Sequence, residues 1–319
     1  MEEFFMRWKL TTLIENHADK EERYVSEHGL SILIESEDQK PPVQLLMDTG
    51  QSGMFYDNAV KMGILLGNLN ALLISHAHYD HAGGVKMLLE KATVEKMYVG
   101  KDFFHKKYYE KKDGILKNIG ITFSREELEQ KGISVCELKK DMNRIFPGVT
   151  LYRNFERSVE YETLNPHFFV EKEEDGYISN CSTNKVCDSL ETGKESVVDN
   201  KDSFRSDSFT NDSFTDEIAV ALDTEKGIVV IVGCSHPGIM NILKTIEQRS
   251  GKKICGVVGG THLMEADEER LSKTIDHLKE MNIDFIAVSH CTGEDNLEII
   301  KENFGEKFIF NCTGNIIRF

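Results

Sequence analysis

Residues Ser75-His-Ala-His-Tyr-Asp-His-Ala-Gly-Gly84 set His76, His78, Asp80 and His81 directly behind the apolar run Ala71-Leu-Leu-Ile74. Such a run reads as a buried strand, and Gly83-Gly84 followed by the helical pattern Val85 to Lys91 reads as a turn into a helix. In a turn leaving a strand, positions i and i+2 can point the same way, so His76 and His78 can share one metal ion. Asp80 and His81, on the bend into the helix, can face a second. Imidazole and carboxylate ligands suit zinc, manganese or iron. A lone histidine is ordinarily a core or surface residue; this density at one strand end reads as a metal site.

The chain has 11 histidines, and three more stand just past an expected strand. His236 follows Ile228–Val232, His262 follows Ile254–Val258, and His290 follows Phe285–Val288. Strand ends gathered at one edge are where α/β active sites form. By contrast, His277 lies on the polar face of its helix, and His17 and His105 sit in charged stretches; these read as structural or solvated. His28 and His167 fit either reading.

Moving outward, Leu10–Ile14, Leu30–Ile34 and Val43–Met47 read as strands, the last ending at Asp48-Thr-Gly50. A short helix is expected over Asn58–Met62, stopped by Gly63. Later, Ile218–Leu222 and Gly227–Val232 read as strands joined by a turn. Helix Ile239–Glu247, strand Ile254–Val258, helix Asp267–Met281 and strand Phe285–Val288 follow. The two strand-rich parts imply a sandwich of two sheets with helices outside, one domain over residues 1–319. Residues 156–215 differ: Ser, Asp, Glu and Asn dominate, and Asp-Ser-Phe recurs at 202–204, 207–209 and 212–214. A period of five fits no regular structure. This stretch reads as a variable, partly flexible insertion, either a mobile surface loop or a substrate lid whose phenylalanines pack locally or over a pocket. The basic cluster Lys101, His105, Lys106, Lys107, Lys111 and Lys112 reads as a solvated helix face rather than a phosphate site.

Of 319 residues, 40% are hydrophobic and 29% charged, which excludes collagen-like, wholly disordered and disulfide-scaffold classes. With 38 basic and 54 acidic side chains the net charge is −16, which argues against a nucleic-acid partner. The 7 cysteines show no tight repeated spacing. The start MEEFFMRWKL has no secretory h-region, and no apolar run approaches the ~18 residues of a membrane span. The expectation is a cytoplasmic chain without membrane contact and with free thiols. Its oligomeric state is not readable.

The histidine-rich stretch resembles the H-x-H-x-D-H motif of the metallo-β-lactamase-fold superfamily. Thr12-Leu-Ile-Glu-Asn16, Glu27-His-Gly-Leu-Ser31, Asp48-Thr-Gly50, Gly233-Cys-Ser-His-Pro-Gly238, Gly259-Gly-Thr-His-Leu263 and His290-Cys-Thr-Gly293 are similar to its dihydropterin-ribofuranosylaminobenzene-phosphate synthase-like branch. The resemblance spans both ends of the chain and fails across the insertion. It implies an αββα four-layer sandwich of the α/β class, with a binuclear site between the sheets. His76 and His78 match ligands of the first of two divalent ions, zinc foremost with manganese or iron as alternatives. Asp80 and His81 match ligands of the second. His290 matches the last histidine of the pattern, and Asp48 an aspartate that orients the site.

Two departures stand out. Where members carry a histidine before the strand at Ile218, this chain has Phe214-Thr-Asp-Glu217, and Cys234 replaces the usual bridging aspartate. Either His236 supplies the missing first-metal ligand, with Cys234 bridging or on the second metal, or Asp216 or Glu217 ligates and His236 contacts substrate. Cys234 as an inert buried thiol stays open. His262 is expected near the substrate, as a proton donor or phosphate contact. The resemblance then implies a hydrolase whose metal-bound hydroxide attacks a phosphoester, ester or lactone in a small anionic substrate. Asp80 would orient the nucleophile, and His262 or His236 would protonate the leaving group. The branch implies instead a pterin-methyl transferase with a pterin-like, phosphorylated substrate; a non-catalytic binding protein on the same fold is the third reading. Asn311-Cys-Thr-Gly-Asn315 echoes Cys291-Thr-Gly293, either as a strand-end turn or as an anion site of backbone N–H groups.

Overall fold

The computed structural model describes residues 6–172 and 208–319. The first half opens with β1 (Trp8–Ile14), β2 (Ser31–Ser36) and β3 (Gln44–Met47), paired antiparallel in that order. Helix α1 (Met54–Lys61) leads to β4 (Asn68–Leu69) and then β5 (Ala71–Leu73), which lies parallel to β3. After the histidine-rich turn come α2 (Tyr79–Ala82), α3 (Val85–Lys91), β6 (Thr93–Val94) and β7 (Lys96–Val99). The hairpin β8 (Lys107–Glu110) and β9 (Leu116–Asn118) follows, then α4 (Arg125–Gln130) and β10 (Ser134–Glu137).

The second half begins with β11 (Met142–Phe146) and β12 (Val149–Arg153), continues through β13 (Phe168–Glu171) and β14 (Phe209–Asn211), and reaches β15 (Ile218–Thr224) and β16 (Gly227–Val232). Helix α5 (Ile239–Ser250) ends at Gly251, whose φ of 65° is the left-handed stop that glycine adopts without strain. Then come β17 (Ile254–Gly260), α6 (Glu268–Glu280), β18 (Phe285–Ser289), α7 (Glu294–Phe304) and β19 (Ile316–Arg318). One sheet has the order β10-β7-β5-β3-β2-β1-β19, and a second has β11-β12-β15-β16-β17-β18.

The period-2 alternation of each strand separates the layers. Ile32 and Ile34 of β2 and Leu45 and Met47 of β3 point between the sheets, against Leu151, Val220, Val229 and Ile231. Leu33, Leu46 and Leu72 point the other way and meet Phe55 and Ala59 of α1 and Val85 and Leu88 of α3. On the far side, Val230, Val232, Ile286 and Val288 pack under Ile242 and Leu243 of α5, Ile275 of α6 and Ile300 of α7. Helices, sheet, sheet and helices form the αββα sandwich, with all three interfaces filled by apolar side chains.

The parallel strands β5, β16, β17 and β18 carry at their C-terminal ends the turns with His76, His236, His262 and His290. Helix α1 starts earlier than expected because Phe55 and Ala59, one turn apart, share its buried face. The basic cluster is a correction. It contains strand β8, not a helix, and Lys107 at its start is buried. Part of the stretch assigned to the insertion is regular too: β13 pairs with both β8 and β14, giving the small sheet β14-β13-β8-β9. The Asp-Ser-Phe copy at 202–204 and the flexibility expected over 173–207 lie outside the described residues. Among the described residues, no helix is long and apolar enough to cross a membrane. The echo at 311–315 is a structural turn. Asn311 accepts the Thr12 hydroxyl at 2.6 Å, and Gly314 donates its N–H to the Thr12 carbonyl at 2.8 Å, closing the C-terminus onto β1.

Behind β7, Gly100 lets two chain segments touch, since a Cβ there would lie 2.1 Å from the carbonyl oxygen of Asp216. Gly100→Ala is expected to destabilise the fold by about 1–3 kcal/mol, the usual cost of overpacking. Chemical denaturation measures this, and an unchanged midpoint would show that the segments separate freely.

Candidate metal centre

The site is built on the loops leaving β3, β5, β16, β17 and β18. Four of them bend sharply: Asp48, Ser235, His262 and His290 hold positive φ, between 48° and 64°, as does Phe214 in the loop between β14 and β15. Non-glycine residues there cost on the order of 1–3 kcal/mol each and persist only where surrounding bonds over-determine them. Asp48 supplies such bonds. Its carboxylate accepts the Ser75 N–H and hydroxyl, each at 2.7 Å, and faces His81 Nδ1 at 2.7 Å. That contact leaves His81 Nε2 facing inward, 3.1 Å from Cys234 Sγ and 3.2 Å from His290 Nε2. His290 is oriented in the same manner, with Nδ1 2.9 Å from Asn16 Oδ1 while Glu15 accepts its backbone N–H at 2.6 Å. His76 sets Nδ1 3.0 Å from the Ser75 hydroxyl and Nε2 3.0 Å from His78 Nδ1.

The ligand atoms of Asp80, His81, Cys234 and His290 all lie within 4.8 Å of one another, and so do those of His76, Cys234 and His236. Cys234 belongs to both groups. His78 stands beside the second group, its ring 4.9 Å from that of His236. All seven side chains are buried, and the Nε2 atoms of His78 and His236 have no hydrogen-bond partner. Buried polar nitrogens without partners, beside a carboxylate and a thiol, are the environment a divalent cation completes. The donor set fits such an ion.

Electrostatics point the same way. Burial pushes His76, His78 and His236 well below the ordinary histidine value, so their rings are neutral and offer lone pairs. His81 is also buried, but Asp80 and Asp48 overcome that and raise it to about 9. Surroundings that hold a proton so firmly also attract a cation. Burial, with Cys291 beside it, lifts the Cys234 thiol well above its usual range. Asp80 is buried but held well below the carboxylate range by His81, His28 and His290.

Among the alternatives left by the sequence, the geometry brings His236 to His76. Asp216 spends its oxygens on Ala77 N–H at 2.8 Å and on Lys107 at 2.7 Å. Glu217 spends its own on the N–H groups of Ser235 and His236; burial and Asp216 push its carboxyl up to about 8. His262 lies beside the cluster, its ring 4.3 Å from His236, and burial lowers its pKa. His28, undecided from sequence, is half exposed with Nε2 3.3 Å from Asp80 Oδ2. His167 pairs with Glu110 and His277 with the Tyr161 hydroxyl, both away from the cluster. The phenylalanines of 156–215, expected to pack locally or over a pocket, supply an aromatic cover whose partners the sequence did not identify. Phe168 stacks on His78 at 5.5 Å, and Phe214 lies parallel to His236 at 4.2 Å. Sequence reasoning missed Glu15 and Asn16, although both end the quoted run Thr12–Asn16.

Fold and site together define the class. A model of the metallo-beta-lactamase superfamily matches residues 28–174, and this chain belongs to that superfamily. The 7,8-dihydropterin-6-methyl-4-(beta-D-ribofuranosyl)-aminobenzene-5'-phosphate synthase of Methanocaldococcus jannaschii is 30% identical over 318 residues, 98% of this chain and 96% of that one. An uncharacterized protein of the same organism is 26% identical over 307 residues, 96% of this chain and 98% of its own length. A solved structure described as Tm1679, a metal-dependent hydrolase of the beta-lactamase superfamily, is similar with TM-score 0.73 at 27% identity, each chain covered to 98%.

Near the same edge, His17 lies between Glu15 at 3.1 Å and Glu294 at 3.3 Å. The Glu15 hydrogen bond, working against partial burial, raises it from 6.5 to about 9. The folded chain therefore holds this proton more tightly than the unfolded chain. Stability from the contact is complete below pH 6.5 and is lost as pH rises to about 9. Replacing His17 with glutamine should cost more at about pH 6 than at about pH 10 in denaturant titrations. An equal loss at both would refute the coupling.

Proposed function

We propose that this chain is a metal-dependent hydrolase of a small anionic substrate, a phosphoester or a related ester or lactone, at a binuclear centre. The observation that carries the reading is the pair of ligand groups meeting at Cys234. His76, His78 and His236 would hold one ion, and Asp80, His81 and His290 the other, with Cys234 between them and Asp48 orienting the set. Divalent ions there, zinc foremost and manganese or iron as alternatives, would supply Lewis acidity toward water and toward a substrate oxygen.

The remaining work falls to the chain itself. Asp80, kept ionised with three imidazoles around it, orients the attacking water. Phe168 and Phe214 cover the rings of His78 and His236 and exclude bulk water from that side. His262, neutral because burial lowers its pKa, gives a substrate oxygen a hydrogen bond from a ring N–H. His236, among the ligands, is then not the acid that protonates the leaving group.

A second reading, transfer of a pterin-methyl group, is favoured by the whole-length similarity to the synthase of Methanocaldococcus jannaschii. The two differ in whether a dihydropterin diphosphate is consumed without an arylamine acceptor.

Protein purified without chelator is expected to carry about two ions per chain by elemental mass spectrometry. His78→Ala should lower that content and cut turnover of phosphodiester or lactone substrates by more than the ~10- to 100-fold typical of residues outside the ligand set. Full metal content in the variant would contradict the ligand assignment. A chain that stays empty after reconstitution would favour a non-catalytic binding protein.

A further inference from the structure

Lys107 is an unusual residue to find in the small sheet, because its ammonium is buried with Asp212 and Asp216, each at 2.7 Å. Buried ion groups are weak stabilising devices; apolar residues of similar volume often serve stability as well or better. What distinguishes this one is where its bonds lead. Asp216 accepts the N–H of Ala77, the residue between His76 and His78. Asp212 accepts the N–H of Phe214 at 2.7 Å, and the Phe214 ring lies 4.2 Å from His236 with its plane 5° from parallel. Asp212 also donates its N–H to the carbonyl of Phe168 at 2.8 Å, and Phe168 stacks on His78. One ammonium thus reaches all three histidines of one ligand group by short paths. Among the described residues, none of the ammonium's hydrogen bonds leads to His81, His290 or Asp80.

We propose that Lys107 is a positioning residue for the three-histidine group. Through Asp216 it fixes the His76-Ala77-His78 turn, and through Asp212 it fixes the two phenylalanines on the faces of His78 and His236. The inference rests on the reading of those histidines as a metal group. Outer residues that orient ligands set metal affinity by holding rings in one rotamer before the ion arrives. Lys107 differs from a direct partner such as Asp48 in acting on backbone and on stacking faces. The strands that carry its sheet therefore belong to the metal site rather than to a loop beside it.

The test uses the full chain, with zinc titrated against a competing chelator and histidine-ring NMR recorded on metal-free protein. Lys107→Met should weaken one of the two zinc equivalents on the order of 10- to 100-fold and leave the other in place. The ring signals of His76, His78 and His236 should shift or broaden while those of His81 and His290 hold. Lys107→Arg keeps the charge and should recover most of both effects. A folded Lys107→Met variant with wild-type zinc affinities and unchanged ring signals would overturn the proposal. Should that variant fail to fold, Asp212→Asn decides: altered His236 and His78 signals support the proposal, and unchanged ones sink it. If the wild-type chain bound no zinc at these histidines, the functional reading would fail, while the metal-free ring signals would still decide what Lys107 does.

Discussion

The Asp48 carboxylate is the constraint on which the site depends. It stands at the end of β3 in a left-handed conformation and ties that strand end to the end of β5 through both polar hydrogens of Ser75. Two histidines take their orientation from it, His81 directly and His76 through the Ser75 hydroxyl. A buried carboxylate is costly unless its oxygens are satisfied, and here two of the three bonds that satisfy it also aim a ring. The inter-sheet core beneath, from Met47 and Leu73 to Val220 and Ile231, keeps the two strand ends in register. Packing therefore carries the precision, and Asp48 passes it on to the side chains.

A second layer of control comes from the opposite face. The sheet β14-β13-β8-β9 sits outside the sandwich, yet His78 bridges to Gly120 and Tyr79 donates its N–H to Ile119 beside it. Phe168 of β13 and Phe214, just past β14, lie on the imidazoles, so the desolvation that keeps His78 and His236 neutral is partly their doing. The sandwich positions the imidazoles from below, and this sheet with the loop after β14 dries them from above. The strands come from residues far apart in sequence, and the ion group on Lys107 holds their ends together.

The sequence made the sandwich legible because local pattern and burial agree there. Leu33 against Ile32 and Ile34, or Val230 against Val229 and Ile231, alternate as a strand with apolar layers on both faces requires. His76 to His81 were legible because a dense motif behind a buried strand has few other uses. The small sheet was not legible. Lys107 looks like its basic neighbours until Asp212 and Asp216, more than a hundred residues on, are brought to it. Phe168 and Phe214 lie in a stretch whose composition reads as loop, and stacking on a histidine leaves no periodic trace. Glu15 and Asn16 share that invisibility, since their role depends on β1 passing the turn at His290.

The charge of the chain then bears on what the centre can accept. With a net charge of −16, the surface repels an anion at long range. The centre adds the carboxylates of Asp48 and Asp80, and the Lys107 ammonium over Phe214 is already shared between two aspartates. The buried imidazoles are mostly neutral. On the reading proposed here, an anionic substrate meets positive potential chiefly where cations occupy the ligand groups, within a few ångströms and shielded from solvent. Binding and activation are then one interaction rather than two. A substrate anion would be drawn in by the same charge that polarises it, and the acidic surface would discourage anions that do not fit between the aromatic cover and the metals.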